Sequence, residues 1–70
     1  MQRHAVKSGS IAALGYDDEK QQLEVEFANG GVYRYSGVTP QQKDALLSAE
    51  SIGKHFQQNI RGKFQTEKVS

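Results

Sequence analysis

The clearest alternation of hydrophobic and polar residues lies in the middle of the chain. Leu23, Val25 and Phe27 are separated by two glutamates, which is the period of two expected of a strand with one buried face. Asn29-Gly30-Gly31 follows and supplies residues that accept the positive φ of a tight turn. A second strand is predicted over residues 32–36, so this region reads as a β-hairpin.

One strand is predicted ahead of the hairpin, and a brief additional strand before it is left open. The longer strand covers Ser10–Tyr16, where Ile11 and Leu14 are three residues apart. This spacing breaks strict alternation and indicates a β-bulge. The fully charged segment Asp17–Lys20 predicts the next turn, since Asp favours turn starts. The polar lead before residue 9 has room only for a brief strand at His4–Lys7.

The period changes from two to that of a helix after the hairpin. Thr39 is placed to cap a helix, and Gln42 stands three residues later, which together form a capping box. Pro40 lies at the first helical position, where its missing N–H is tolerated. These signals predict a first helix that runs to about Ser48.

A second helix is predicted directly after the first. Ser51 can cap it, and Gly62 can close it in a left-handed conformation. Its apolar residues recur at every fourth position, as expected of one buried helix face: Ile52, Phe56 and Ile60.

The order of elements predicts a two-layer α+β fold. A three-stranded antiparallel sheet is followed by two C-terminal helices packed on one face. The whole chain, 1–70, is expected to be a single domain. Its core is expected to cover about 6–64, and the tail 65–70 is expected to be mobile.

The register of the hairpin decides where its tyrosines point. A two-residue loop would mix charged and apolar side chains on both faces, whereas a three-residue loop ending at a left-handed Gly31 separates them, so we favour the longer loop. It pairs Glu26 with Arg34 and places Tyr33 and Tyr35 on the helix side. A mainly structural role for both rings is then expected, and an open ring face for stacking is the alternative.

Composition narrows the possible settings of the protein. The 70 residues contain no cysteine and carry a net charge of +1, which excludes disulfides and thiolate chemistry. No apolar stretch is long enough for a signal peptide or a membrane span. We therefore expect a cytoplasmic protein without membrane contact.

Charge is distributed unevenly along the chain. Residues 17–26 hold five acidic side chains against one lysine, whereas residues 51–70 hold four basic side chains against one glutamate. The chain therefore has an acidic middle and basic ends, an asymmetry that bears on partners more than on the fold.

Catalytic and metal-binding groupings are not evident. His4 and His55 have no second ligand at helical spacing, and a structural metal site needs about four ligands. The acidic run at residues 17–19 lacks the alternating oxygen ligands of a calcium loop. There is no arrangement of serine, histidine and acid to argue for. The sequence predicts a protein that is not an enzyme and has no metal or cofactor.

The second helix suggests a basic binding surface. Opposite its apolar side it carries lysine, arginine and glutamine with no acid, and such groups contact phosphate and sugar oxygens readily. An ordinary solvated helix face is the alternative. The candidate nucleic-acid-binding residues are Arg34, Lys54, Gln58, Arg61, Lys63, Tyr33 and Tyr35.

A series of short motifs in a fixed order resembles the KTSC domain family, named for the C-terminal domain of some lysyl-tRNA synthetases and also found free-standing in small bacterial and phage proteins. The similarity covers about residues 6–64. One departure is Val38-Thr39-Pro40, where the family pattern has Val-Pro. The motifs are Ser10-Ile11, Leu14-Gly-Tyr-Asp17, Leu23-x-Val-x-Phe27, Gly31-Val-Tyr-Arg-Tyr35, Gly37-Val38, Ala49-x-Ser-x-Gly-Lys-His-Phe56 and Ile60-Arg61.

The resemblance implies RNA or tRNA as a partner, through the synthetase context alone. Together with the basic helix face, it makes RNA binding the first functional expectation. The alternative is a protein-interaction or homo-oligomerisation module that uses a sheet edge, because an antiparallel sheet presents unpaired backbone groups at its edges. The oligomeric state stays open.

Overall fold

The computed structural model describes residues 3–6 and 8–69. One antiparallel sheet carries five strands in chain order, and two helices connect its last two strands. The strands are β1 (Arg3–Ala5), β2 (Ile11–Asp17), β3 (Gln22–Phe27), β4 (Val32–Ser36) and β5 (Gln65–Lys68). The helices are α1 (Pro40–Ser48) and α2 (Ile52–Asn59).

The α+β class and the two helices are confirmed, but the count of three strands is wrong. The brief N-terminal strand covers Arg3–Ala5 rather than His4–Lys7, and Lys7 lies outside the described residues. The segment expected to be a mobile tail forms β5 over Gln65–Lys68. Ser70, the end of that predicted tail, also lies outside the described residues.

Both extra strands lie at the edges of the sheet and have no buried side chain. β1 pairs with β2, and β5 pairs with β4 through matches such as Tyr35 with Thr66. All seven of their residues are exposed. Such strands are held mainly by backbone hydrogen bonds, so the sequence shows no alternation that would reveal them.

The helix boundaries follow the predicted caps. The Thr39 Oγ1 atom accepts a hydrogen bond from the Gln42 backbone N–H at 3.2 Å, and the Gln42 side chain accepts from the Thr39 N–H at 2.9 Å. Ser51 accepts from the Lys54 N–H at 3.4 Å. Gly62 is left-handed, with φ +76°. The capping box and the closing glycine are therefore confirmed.

The predicted bulge and charged turn are also present. The pairing of β2 with β3 shifts between Ile11 and Ala13. In the turn, the Asp17 carboxylate accepts hydrogen bonds from the backbone N–H groups of Glu19 and Lys20, at 3.0 and 3.2 Å. The acidic run is thus used to shape the turn between β2 and β3.

The core lies between one face of the sheet and the two helices. Val38, at the end of the hairpin, Leu46 of α1 and Phe56 of α2 are almost fully buried against it. The buried cluster consists of Ile11, Leu14, Leu23, Val25, Tyr35, Val38, Leu46, Phe56 and Ile60.

The hairpin has a three-residue loop, but it lies one residue earlier than predicted. The Phe27 N–H donates to the Gly31 carbonyl at 2.8 Å, so the loop is Ala28-Asn29-Gly30. Gly30, at φ +97°, is the left-handed residue rather than Gly31. Each cross-strand pair is shifted by two residues, which preserves the predicted faces because side chains alternate with a period of two. Tyr33 and Tyr35 accordingly lie on the helix side.

The shifted register changes the ion pairs on the other face of the sheet. Arg34 lies opposite Glu24, not Glu26, and its Nη2 atom is 3.4 Å from the Glu24 carboxylate. Arg3 reaches the same carboxylate at 2.7 Å, passing over Gly15, which stands between them in the register. Glu24 therefore joins three strands by ion pairs while only 7% exposed.

The position of the left-handed glycine can be tested directly. Gly30→Ala forces a Cβ into a φ of +97°, which should lower the free energy of unfolding by about 1–2 kcal/mol. Gly31→Ala, at a φ outside that region, places its Cβ 3.4 Å from the nearest atoms and should cost less. Urea denaturation of both variants measures the difference. Equal losses, or a larger loss at Gly31, would contradict the observed loop.

The shared carboxylate gives a second prediction. Glu24→Ala removes the carboxylate that both arginines share, which leaves Arg3 only its longer contact with Glu26, and should lower the free energy of unfolding by about 1–2 kcal/mol, since both arginines are about one-third exposed. Glu26→Ala is the matched control on the same face of β3. Its side chain is 38% exposed and lies 3.7 Å from Arg3, so a loss below about 0.5 kcal/mol is expected. Thermal unfolding of both variants checks the ranking.

Candidate functional site

A solvent-facing hollow lies between the β3–β4 hairpin, α2 and β5. Its volume is about 450 Å³. Both hairpin tyrosines and Arg61 contribute to its lining, so a cation and two aromatic rings that are far apart in sequence meet in one place. The lining residues are Ser10, Phe27, Asn29, Tyr33, Tyr35, Phe56, Gln57, Arg61, Gly62 and Thr66.

The aromatic side of the hollow is a chain of four rings in edge-to-face contact. Phe27 packs against Tyr33 at 5.7 Å between centroids and against Phe56 at 5.5 Å. Phe56 in turn packs against Tyr35 at 5.3 Å. Phe56 and Tyr35 are buried, whereas Phe27 and Tyr33 are half-buried. The buried rings of Phe56 and Tyr35 therefore anchor the cluster in the core, and the half-buried rings of Phe27 and Tyr33 keep surface toward the hollow.

Arg61 is placed at the rim by the way α2 ends. Its backbone N–H donates to the Phe56 carbonyl at 2.9 Å, and the chain then turns through the left-handed Gly62. The Arg61 guanidinium donates from Nη1 to the Gln57 side-chain oxygen at 3.3 Å. Burial raises the pKa of Tyr35, and the positive charge of Arg61 opposes that rise. Arg61 thus acts electrostatically on the hollow.

Lys54 and Gln58 line a neighbouring groove on the other side of α2. This groove has a volume of about 570 Å³ and is lined by serines and glycines of the segment before β2 as well as by the start of α2. Gln57 lines both the hollow and this groove. The groove is tight at Gly53, where a Cβ would lie 2.9 Å from the Ser10 hydroxyl. The basic face of α2 therefore continues from the groove to the hollow.

The remaining two candidate residues lie away from the hollow. Arg34 belongs to the opposite face of the sheet, where it is committed to Glu24. Its Nε atom is buried and has no hydrogen-bond partner among the described residues. Lys63 is exposed beyond the end of α2. Tyr33, Tyr35 and Arg61 are the three predicted residues that the structure brings together at the hollow.

The acidic side chains of β3 and β5 lie on the sheet face that is turned away from the hollow. No acid is among the described residues that line the hollow or the groove. Glu24, Glu26 and Glu67 all lie on the opposite face, because each is in register with a residue of that face. A negatively charged ligand would accordingly meet the least repulsion on the α2 side.

Seven of the ten residues that line the hollow were not predicted from the sequence as site residues: Ser10, Phe27, Asn29, Phe56, Gln57, Gly62 and Thr66. Phe27 looked like an ordinary core position, and Asn29 looked like turn chemistry alone. Gln57 was recognised only as part of the polar helix face. Thr66 belongs to β5, which was not predicted at all. The hairpin loop and β5 meet at the hollow through the sheet, and no sequence spacing carries that information.

No metal site is evident in the part of the chain that the structure describes: no group of three or more histidine, aspartate or glutamate side chains is placed to hold an ion. No helix within residues 3–6 and 8–69 is long and apolar enough to cross a membrane.

Taken together, the fold and the hollow define a small α+β domain with an aromatic, cation-rimmed surface between sheet and helix. A family model described as the KTSC domain matches residues 7–64, which is most of the chain. The chain therefore belongs to the KTSC domain family.

Known relatives and a solved structure agree with this assignment. An uncharacterized protein of Stutzerimonas stutzeri is 53% identical over 58 residues, which cover 83% of this chain and 82% of the relative. The crystal structure of a KTSC domain protein from Yersinia pestis is 38% identical, with a TM-score of 0.95 over 99% of this chain and 97% of that one.

The same sequence pattern also occurs inside much longer proteins. A protein of Nostoc punctiforme named lysine–tRNA ligase is 42% identical over 60 residues, which cover 86% of this chain but 11% of the ligase. A lysine–tRNA ligase of Trichormus variabilis is 40% identical, with the same coverage. This chain therefore resembles a small part of those proteins.

Proposed function

We propose that this protein is a small RNA-binding module that uses the basic face of α2. One observation carries the proposal: Arg61 lies at the rim of the hollow that Tyr33 and Tyr35 line. Arginine contacts phosphate and stacks on flat rings, and tyrosine stacks on bases. A positively charged surface with an aromatic floor is the usual construction of sites for single-stranded nucleic acids.

The surroundings of the hollow support the same function. Lys54 and Gln58 extend the surface along α2, and Lys63 is exposed just beyond it. About three basic side chains can then contact phosphates, so affinity should be modest and depend strongly on salt. Two relatives of this chain are named lysine–tRNA ligases, and this supports RNA as the proposed ligand. Arg34 is left out of the proposed surface because it lies on the opposite sheet face.

RNA binding can be measured by fluorescence anisotropy with a labelled 12-nucleotide strand of uridines. We expect a Kd below about 10 μM at 50 mM salt and a log–log salt slope of about −2, from three contacts on a single strand. The double variant Lys54→Glu with Arg61→Glu should abolish binding. Lys20→Glu is the control for charge reversal away from the proposed surface, because it reverses one charge in the exposed turn before β3. No binding by the unmodified protein, or equal effects of the double variant and the control, would refute the proposal.

A protein-interaction role through a sheet edge is the second candidate. Both edge strands are exposed along their whole length, and Val69, just after β5, is 40% exposed. β5 also carries Glu67 and Lys68, however, and charged residues on an edge strand discourage pairing with another strand. Protein interaction through a sheet edge is therefore less well supported by the structure than RNA binding at the hollow.

The edge-pairing candidate makes its own prediction. If β5 pairs with a second copy, sedimentation of the protein at high concentration should show a dimer that Thr66→Pro disrupts, because proline removes a backbone donor from the strand. The matched control is Thr66→Val, which keeps that donor. A monomer throughout the concentration range would rule out pairing between copies.

A further inference from the structure

We infer that the hollow accepts one unpaired, carbonyl-bearing base of an RNA strand, while the basic face of α2 holds the phosphates beside it. This inference deepens the proposed function and rests on it. It goes further in naming the hollow as a base subsite and in requiring a single-stranded ligand.

The hollow is large enough to hold one base. Its volume of about 450 Å³ lies within the range of about 300–1,000 Å³ typical of small-molecule sites. A duplex could approach its rim, but a paired base cannot leave the helix without losing its partner and its stacking neighbours. The ligand that fits the hollow is therefore a strand whose bases are already free.

Phe27 and Tyr33 supply the surface on which a base can stack. Both rings are half-buried and line the hollow. Their edge-to-face contact fixes them relative to each other, and Phe27 is fixed in turn by the buried Phe56. A base that stacks on these rings would meet a surface that is already ordered, so little conformational entropy is lost on binding.

Two amide side chains determine which base edge fits best. The Asn29 side-chain oxygen is occupied by the Gly31 backbone N–H at 3.0 Å, and the Gln57 side-chain oxygen is occupied by the Arg61 guanidinium at 3.3 Å. Both residues line the hollow, and each keeps an NH₂ group free of these bonds. Since an amide NH₂ and a guanidinium are donors only, these three side chains favour bases with carbonyl oxygens, such as uracil.

Blocking the hollow without changing its charge tests the inference. Thr66 lines the hollow from the exposed edge strand, so Thr66→Trp should fill it. Gln65→Trp is the matched control, because it places the same side chain on the preceding residue, which is also uncharged and belongs to the opposite sheet face. We expect the Kd for the 12-nucleotide uridine strand to rise about tenfold in the first variant, the effect of losing one stacked base. The control should stay within about twofold. The duplex of that strand with its complement should bind more weakly than the strand to the unmodified protein.

A second measurement uses the unmodified protein and does not depend on the folding of a variant. In a two-dimensional NMR titration, uridine 5′-monophosphate should shift the backbone amide signals of Asn29, Gly62 and Thr66 and leave those of Asp18 and Lys20 in place. The mononucleotide should bind more weakly than the strand, because it lacks the other phosphates. Equal affinity would identify a free nucleotide as the ligand and overturn the inference.

The two levels of the proposal fail in different ways. If the unmodified protein binds no RNA, the proposed function and the base subsite fail together. If RNA binding is lost in the double charge variant but is unchanged in Thr66→Trp, and uridine monophosphate shifts no signals at the hollow, RNA binding stands and the base subsite is wrong.

Discussion

The packing of Phe56, a residue of α2, against the β3–β4 hairpin is the contact on which the arrangement of this protein depends. Phe56 is 2% exposed, and its ring meets Phe27 of β3 and Tyr35 of β4 edge-to-face. This one side chain fixes α2 against two strands, and burial of such a ring contributes roughly 2–3 kcal/mol. Arg61 follows about one and a half turns later, so the same contact that holds the core also sets where the cation lies relative to the tyrosines.

The sequence predicted the structure correctly wherever burial or helix capping produces a recognisable pattern of residues. The capping box at Thr39, the apolar spacing that ends at Ile60 and the faces of the hairpin all follow from local rules. The register of the hairpin was wrong by two residues because a shift of two keeps every side chain on its face. The hydrophobic pattern alone therefore could not distinguish Gly30 from Gly31 as the left-handed residue. β5 was missed because an exposed edge strand has no buried face to create a pattern.

The candidate site was only partly predictable for a related reason. Tyr33, Tyr35 and Arg61 could be named from residue type, and Lys54 and Gln58 from helical spacing, but their grouping depends on the tertiary fold. Thr66 enters the site through β5, which the sequence concealed. Arg34 was included because it stands between the tyrosines, although alternation already placed it on the opposite face. Arg34 and Arg3 both form ion pairs with Glu24, so in the described structure Arg34 helps to join neighbouring strands.

The order of the strands also determines how this domain can be joined to other polypeptides. β1 and β5 lie at opposite edges of the sheet, separated by four strand spacings, or roughly 19 Å. The hollow lies beside β4 and β5. A polypeptide fused ahead of Arg3 would enter at the far edge and leave the hollow uncovered, whereas one continuing beyond Val69 would emerge next to it. An N-terminal fusion is therefore the architecture in which this surface stays accessible.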